Sequence, residues 1–153
     1  MLETPHVIVG AAIATKVGNP LLAIPLALGS HFILDLAPHW NPHLYTETQK
    51  RGKPSKKSTT IVIADCVIGL IAGFLISAKA LPNVQKTIFI LFTCLISVLP
   101  DLIEAPYYFL NFRKEILHKW IKWHRSYQTN GDFVFGVLSQ ILVTATSLWW
   151  ILS

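Results

Sequence analysis

Charged residues are scarce in this sequence. Only 14% of the 153 residues are Asp, Glu, Lys or Arg, whereas an ordinary soluble domain contains roughly 25%. Hydrophobic residues make up 52%, five residues are tryptophan, and the mean hydropathy is +0.50. The chain is long enough for one domain with a modest core, and this composition is typical of an integral membrane protein.

Several other features are rare or missing. The only two cysteines, Cys66 and Cys94, each lie in an apolar run, which favours two small core residues over a cysteine metal site. The sequence has no glycine-rich phosphate loop, and no spacing in it indicates a Ser/His/Asp arrangement. Glu3 and His6 stand where a signal peptide would carry basic residues, so we predict that this segment is not a cleaved signal peptide.

The apolar segments predict an all-α fold, a single transmembrane bundle of about five helices over residues 1–153. The segments are 5–15, 21–36, 60–80, 87–110 and 133–152. The first two are shorter than the ~20 residues that a straight span needs. A long loop is predicted at about 39–58. An amphipathic helix at about 113–128, with lysines beside its apolar stripe, is expected to lie on the membrane surface.

Basic residues give an expected orientation. They form two clusters, Lys50, Arg51, Lys53, Lys56 and Lys57, and Arg113, Lys114, Lys119, Lys122 and Arg125. Beside so much apolar sequence, these clusters favour cytoplasmic loops and anionic lipid headgroups over nucleic acid. We therefore expect a multi-pass protein of the inner (plasma) membrane, with both clusters on the cytoplasmic side.

With this topology, most histidines and acids outside the loops converge at the cytoplasmic face. The candidate metal ligands are His6, His31, Asp35, His39, Asp65, Asp101, His124 and Asp132, with Glu104 beside them. A carboxylate inside an apolar helix costs roughly 2–4 kcal/mol on insertion scales, so it needs a cation, a metal or a proton as partner. Carboxylate oxygens with imidazole nitrogens suit one or more Zn²⁺ ions, and another divalent metal is the alternative.

Helical spacing supports part of this set. His31 and Asp35 are four residues apart, and Asp101 and Glu104 are three apart. Residues at these spacings share one face of a helix, so each pair can hold one ion.

Some candidates also have a simpler structural interpretation. His39 can be a loop histidine in a proline turn, and His6 can be an ordinary first-turn residue. Asp132 can cap the last helix, bind a metal or do both, because Asp is a favoured N-cap residue. Glu3 is expected to be a solvated surface charge.

Three stretches, "TPHVIVGAA", "LPDLIEAP" and "HRSYQTNGD", resemble the bacterial membrane-bound metal-dependent hydrolase family. That family has an early histidine, a "PDxDH" block and an "HRGxTHS" block. His6, Asp101, His124 and Arg125 match by position and type. Glu104 departs from the second block, and "TNG" stands where the third has "THS", so a histidine is missing. Asp132, or His31 with Asp35 from earlier in the chain, is the candidate replacement.

The resemblance implies a membrane enzyme that is similar to zinc-dependent phospholipase C enzymes, in which His and Asp/Glu residues bind several zinc ions. Our first hypothesis is therefore a metal-dependent hydrolase of an ester or phosphoester, with a phospholipid as one candidate substrate. In it, Glu104 is a ligand or general base, and Arg125, with Lys122 as a second cation, holds an anionic phosphate.

Two other hypotheses remain open at this stage. Membrane-embedded carboxylates and histidines also serve as proton or cation relays, and a transporter this small would need to be an oligomer. Alternatively, the polar residues form a structural network in a non-catalytic protein whose basic loops bind lipid or a partner.

Overall fold

The chain folds into seven α-helices without a β-strand. A computed structural model describes all residues from 1 to 153. The helices are α1 (Glu3–Val17), α2 (Pro20–Leu36), α3 (Leu44–Arg51), α4 (Lys56–Ala78), α5 (Val84–Phe109), α6 (Glu115–Tyr127) and α7 (Phe133–Leu152). The all-α prediction is confirmed. The five apolar segments correspond to α1, α2, α4, α5 and α7, and the amphipathic segment contains α6.

Local sequence signals explain where the helices begin. Asn19, Ser55, Asn83 and Asp132 are N-cap residues whose side chains accept hydrogen bonds from backbone N–H groups in the first turn. These residue types are favoured there because their oxygens satisfy N–H groups that have no partner within the helix. Gly18, with a φ of 67°, ends α1 in the left-handed conformation that glycine adopts without strain.

Helix α1 lies at the centre of the bundle, where it contacts α2, α4, α5 and α7. Its side chains Val7 and Ile8 are buried against apolar residues of α4 and α5. Gly10 permits a close approach to α5, since a Cβ atom at this position would lie 2.6 Å from Oγ of Ser97. This packing encloses His6 on the same helix, whose side chain is fully buried.

Three helices are long and apolar enough to cross a membrane. The most apolar parts of α4, α5 and α7 have mean hydropathies of 2.5, 2.1 and 1.6, and α2 is a shorter apolar helix. Large apolar side chains cover the outer surface of the bundle; examples are Leu21, Ile33, Leu75, Phe135 and Trp149. So much exposed apolar surface is rare on soluble monomers and is compatible with a membrane protein.

The segment predicted as a long loop, about 39–58, contains the short helix α3. The carboxylate of Glu47 accepts hydrogen bonds from the backbone N–H of Ser55, at 2.7 Å, and from the hydroxyl of Ser58. The bond from the Ser55 backbone also holds the pKa of Glu47 below its ordinary value. Gln49 donates to the hydroxyl of Tyr107 at 2.8 Å. Short polar helices need such contacts, which composition does not reveal.

Candidate metal centre

Four helices and one loop bring seven of the predicted site residues to one end of the bundle. They are His6 on α1, His31 and Asp35 on α2, His39 after α2, Asp101 and Glu104 on α5, and His124 on α6. Three overlapping groups drawn from this set have ligand atoms within 4.8 Å of one another, which is close enough to hold a metal ion.

Asp35 is at the centre of the cluster. Its Oδ1 atom lies 3.5 Å from Nε2 of His6 and 3.8 Å from Nε2 of His39. Its Oδ2 atom lies 3.6 Å from Nε2 of His31 and 3.3 Å from Nε2 of His124. The side chains of all five residues have no exposed surface. One carboxylate therefore has four imidazole nitrogens around it in a fully enclosed site.

Backbone carbonyls fix the protonation of two of these histidines. Nδ1 of His31 lies 2.8 Å from the carbonyl oxygen of Ser97, and Nδ1 of His39 lies 2.8 Å from that of Ala37. A carbonyl oxygen can only accept, so Nδ1 carries the hydrogen in both rings. In the neutral rings, Nε2 then has a free lone pair directed into the cluster, as in histidines that bind metals.

His124 is oriented by a carboxylate. Its Nδ1 atom lies 2.8 Å from Oε1 of Glu104, and its Nε2 atom lies 3.1 Å from Nε2 of His31. Burial opposes the protonation of His124, but the hydrogen bonds to Asp35 and Glu104 outweigh it and raise its pKa to about 9. In the absence of a metal, a proton on Nε2 satisfies the lone pair of His31 across this short distance.

The donor set fits a metal ion. Two ligand atoms at about 2.0–2.1 Å from a tetrahedral zinc ion lie about 3.3–3.4 Å apart, and the Nε2 atoms lie 3.3–3.8 Å from the oxygens of Asp35. Nε2 of His39 and both ring nitrogens of His6 are buried without a hydrogen-bond partner. Buried polar atoms are seldom left without one, so an ion bound beside Asp35 would account for the two Nε2 atoms, which face its carboxylate.

One cationic group and one neutral group also contact Asp35. The amino group of Met1 forms an ion pair with Oδ1, and the amide of Gln128 donates to Oδ2 at 3.2 Å. The ion pair with the Met1 amino group shows that a positive charge is accommodated beside Asp35, and the Gln128 amide adds a neutral hydrogen-bond donor.

His39 is held in place by backbone pairing and not by a helix. Its N–H donates to the carbonyl of Thr129, and its carbonyl accepts from Gly131, so the segment after α2 runs beside the segment before α7. Gly136 of α7 packs against the same segment, where a Cβ atom would lie only 2.4 Å from the backbone nitrogen of Trp40. His39 therefore lies in the cluster around Asp35, although its place in a proline-rich turn also suited a plain loop histidine.

The two remaining predicted ligands have other partners. Oδ2 of Asp65 accepts hydrogen bonds from the backbone N–H groups of Glu3, at 2.5 Å, and Thr4, at 3.3 Å, so it caps helix α1 from α4. Asp132 caps α7 through the N–H of Phe135, at 3.1 Å. Neither carboxylate belongs to the three groups that could hold a metal. The cap alternative for Asp132 matches the structure.

A cavity of about 710 Å³ lies beside the cluster. Asp101 and Glu104 line it, and Asp101 has 18% of its side chain exposed, while His31 and His124 have none. Arg125 also lines the cavity, with its guanidinium group 4.6 Å from the centre of the Tyr45 ring. The cluster is therefore accessible from the cavity on the side of Asp101 and Glu104. The positively charged Arg125 lines the same cavity.

Sequence reasoning missed several residues of this region, among them Glu3 and Tyr108. Glu3, expected to be solvated, lines the cavity, and one of its carboxylate oxygens is buried without a hydrogen-bond partner. Its spacing of three residues from His6 could have placed it on the same face of α1. Tyr108 also lines the cavity and donates to Oε2 of Glu104 at 3.2 Å; its spacing of four residues from Glu104 was the available signal.

Comparisons with protein-family models, with curated proteins and with solved structures find no match to this chain.

Proposed function

We propose that this protein is a metal-dependent hydrolase embedded in the inner membrane, which acts on an ester or phosphoester at the cytoplasmic side. The observation that carries the proposal is the convergence of four buried imidazole Nε2 atoms on the carboxylate of Asp35. A purely structural polar network would pair these nitrogens with donors and acceptors, whereas His39 Nε2 and both nitrogens of His6 have no partner.

Zinc is the metal that this donor set favours. Imidazole and carboxylate ligands suit Zn²⁺, whereas Mg²⁺ and Ca²⁺ prefer oxygen ligands in larger number. His31, Asp35 and His124 would hold the ion, with His6 and His39 within reach. Asp101 belongs to two of the three groups and stands at the boundary between the cluster and the cavity.

The residues around the cavity have separate roles in the proposed reaction. A bound zinc ion would supply Lewis acidity and make a water molecule more acidic. Glu104 is placed to accept a proton, because its carboxylate lines the cavity and lies within hydrogen-bond distance of Tyr108 and His124. Arg125 is placed to bind an anionic group in the same cavity, since its guanidinium group can donate two parallel hydrogen bonds to a phosphate.

The resemblance to the membrane-bound metal-dependent hydrolases supports the same proposal. The three histidine and aspartate positions that match its motifs, His6, Asp101 and His124, come from α1, α5 and α6 and lie together in the cluster. The histidine that is missing from "TNG" has candidate replacements in His31 and Asp35. The expected orientation follows from the positive-inside rule, because the basic clusters lie on and beside α3 and α6. These two regions are close together, since Arg113 donates a hydrogen bond to the carbonyl of Gly52.

Metal content and turnover, measured on the same samples, test this proposal. The protein is purified in detergent, its metals are counted by elemental mass spectrometry, and hydrolysis of a nitrophenyl phosphodiester and a nitrophenyl ester is followed. The variants are Asp35→Asn and Asp101→Asn. Asp132→Asn is the matched control, because it removes an exposed carboxylate while asparagine still caps a helix.

We expect about stoichiometric zinc in the wild type and in Asp132→Asn, and loss of zinc and of turnover in Asp35→Asn. Folded wild-type protein without metal would refute the proposal, as would an Asp35→Asn variant that keeps both metal and activity. Bound zinc that proteoliposomes take up, with no hydrolysis of either substrate, would replace the hydrolase with an ion transporter.

A further inference from the structure

The cavity beside the metal centre has two chemically different parts. Its polar lining includes Arg125, Gln128 and the carboxylates of Glu3, Asp65, Asp101 and Glu104. Its apolar lining comes largely from α4 and α5 and includes Val62, Ile63, Val67, Leu102, Ala105 and Phe109. A cavity lined by both polar and apolar side chains matches a molecule that has a polar head and a hydrocarbon chain.

The apolar part of the wall is also the outer surface of the bundle. Ile63 is 57% exposed and Val67 is 47% exposed on α4, and Leu102 and Phe109 are each 41% exposed on α5. Helices α4 and α5 are two of the three that are long and apolar enough to span a membrane. In a bilayer, this side of the cavity therefore faces lipid and not water.

The polar part carries a cation without an acidic partner. Arg125 forms no ion pair with a carboxylate; its guanidinium group packs over the ring of Tyr45, 4.6 Å away. Its N–H donors remain available for an anion, and guanidinium binds phosphate oxygens in a bidentate manner. The basic charge stands in the same cavity as Asp101 and Glu104, so a phosphate held there would lie beside the metal cluster.

We propose that the substrate is an anionic phospholipid that enters sideways from the membrane between α4 and α5. One acyl chain lies along Ile63 and Val67, and the phosphate is bound by Arg125. This inference rests on the proposed function and specifies its substrate class. A soluble phosphoester has no hydrocarbon chain that could bind along an apolar lining that opens toward the lipid.

Helix α4 provides a matched pair of variants that tests whether the apolar lining of the cavity binds the acyl chain. Ile63 and Ile68 are the same residue type on α4 and are exposed to 57% and 56%, but only Ile63 lines the cavity. Ile63→Trp fills the apolar part of the cavity, whereas Ile68→Trp adds the same side chain elsewhere on the lipid-facing surface. A loss of folding common to both variants would be recognised by their thermal stability in detergent.

The phosphate contact has a similar control. Arg125→Gln and Lys119→Gln each remove one positive charge from α6, but Lys119 is exposed and pairs with Glu115 at 2.8 Å. An effect of overall charge on lipid binding would appear in both variants. An effect of the cavity would appear in Arg125→Gln only.

The measurement is lipid binding, which does not depend on turnover. Delipidated, zinc-loaded protein in detergent is titrated with palmitoyl-oleoyl phosphatidylglycerol, and bound lipid is counted by native mass spectrometry. We expect one bound lipid, about tenfold weaker binding in Ile63→Trp and in Arg125→Gln, and wild-type affinity in Ile68→Trp and Lys119→Gln. Phosphatidylcholine, which has no net charge, is expected to bind more weakly than phosphatidylglycerol.

The outcomes separate this inference from the proposed function. Equal affinities of the Ile63→Trp and Ile68→Trp variants would refute the lateral opening, even if soluble esters are hydrolysed. Equal affinities for the two lipids would refute the anionic headgroup. Specific lipid binding without hydrolysis of any ester would support the binding site and overturn only the hydrolase.

Discussion

The imidazole rings of His31 and His124 face each other through their Nε2 atoms, which are 3.1 Å apart. The hydrogen bond from His31 Nδ1 to the carbonyl of Ser97 leaves a lone pair on its Nε2 atom. Two lone pairs at this distance would repel each other in a site from which water is excluded. A hydrogen on Nε2 of His124 or a metal ion is therefore required between the rings, and an ion at this position would also lie within reach of Asp35.

Glu104 orients His124, and this gives a first prediction. We expect Glu104→Gln to lower zinc affinity by about 10–100-fold, the usual effect of losing the carboxylate behind a metal-binding histidine. Zinc affinity is measured by competition with a chromophoric chelator. The control is Glu115→Gln on α6, whose carboxylate is 80% exposed. Unchanged affinity in Glu104→Gln would contradict the orienting role.

A second prediction compares His39, which lies in the cluster, with His43, which lies in the loop. His39 is buried, and its Nε2 atom is 3.8 Å from Oδ1 of Asp35 and has no hydrogen-bond partner. His43 is exposed and lines the cavity. Since His39 faces the ion position, His39→Gln should weaken zinc binding by at least about tenfold, whereas His43→Gln should not. Isothermal titration with zinc measures both, and equal affinities would exclude His39 from the site.

Asp65 gives a prediction that distinguishes a helix cap from a metal ligand. Its carboxylate accepts N–H groups at the start of α1, so Asp65→Asn should lower the free energy of unfolding by about 1–3 kcal/mol. Its zinc content should remain that of the wild type. Thermal unfolding in detergent and elemental mass spectrometry provide the two values. A folded Asp65→Asn protein that has lost its zinc would restore the ligand assignment made from sequence.

Close packing at Gly136 gives a fourth prediction. A methyl group there would meet the backbone of His39 and Trp40 at less than 3 Å, so Gly136→Ala should destabilise the protein by about 1–3 kcal/mol and displace His39. Gly29→Ala in α2 is the control, since nothing lies within 4 Å of its added methyl group and alanine favours a helix. Melting temperatures and zinc affinities of the pair are compared. Equal behaviour of the two variants would refute the steric argument.

Periodicity identified the members of the site that share a helix. His31 with Asp35, and Asp101 with Glu104, were paired from spacing alone, because the helical repeat fixes which side chains lie on one face. The same reasoning does not report on contacts between helices. It treated Glu3 as solvated, although this residue lines the cavity.

Polar side chains in apolar helices were also ambiguous at the level of sequence. Asp65 and Asp101 both occupy apolar runs, and both require a partner. Asp101 lies in two of the potential metal groups, whereas Asp65 is bonded to backbone N–H groups of another helix. The sequence indicates that each carboxylate in an apolar helix needs a partner, and the packing of the helices determines which partner it has.

The sequence by itself determined the five apolar helices, the amphipathic α6 and the two same-face pairs, because these depend on local residue order and on the cost of placing charge among apolar residues. The tertiary structure alone decided that α1 is the central helix, that α3 forms, and that His6, His39 and His124 meet at Asp35. These features depend on distances between elements that are far apart in the chain, and those distances are set by close packing at positions such as Gly10 and Gly136.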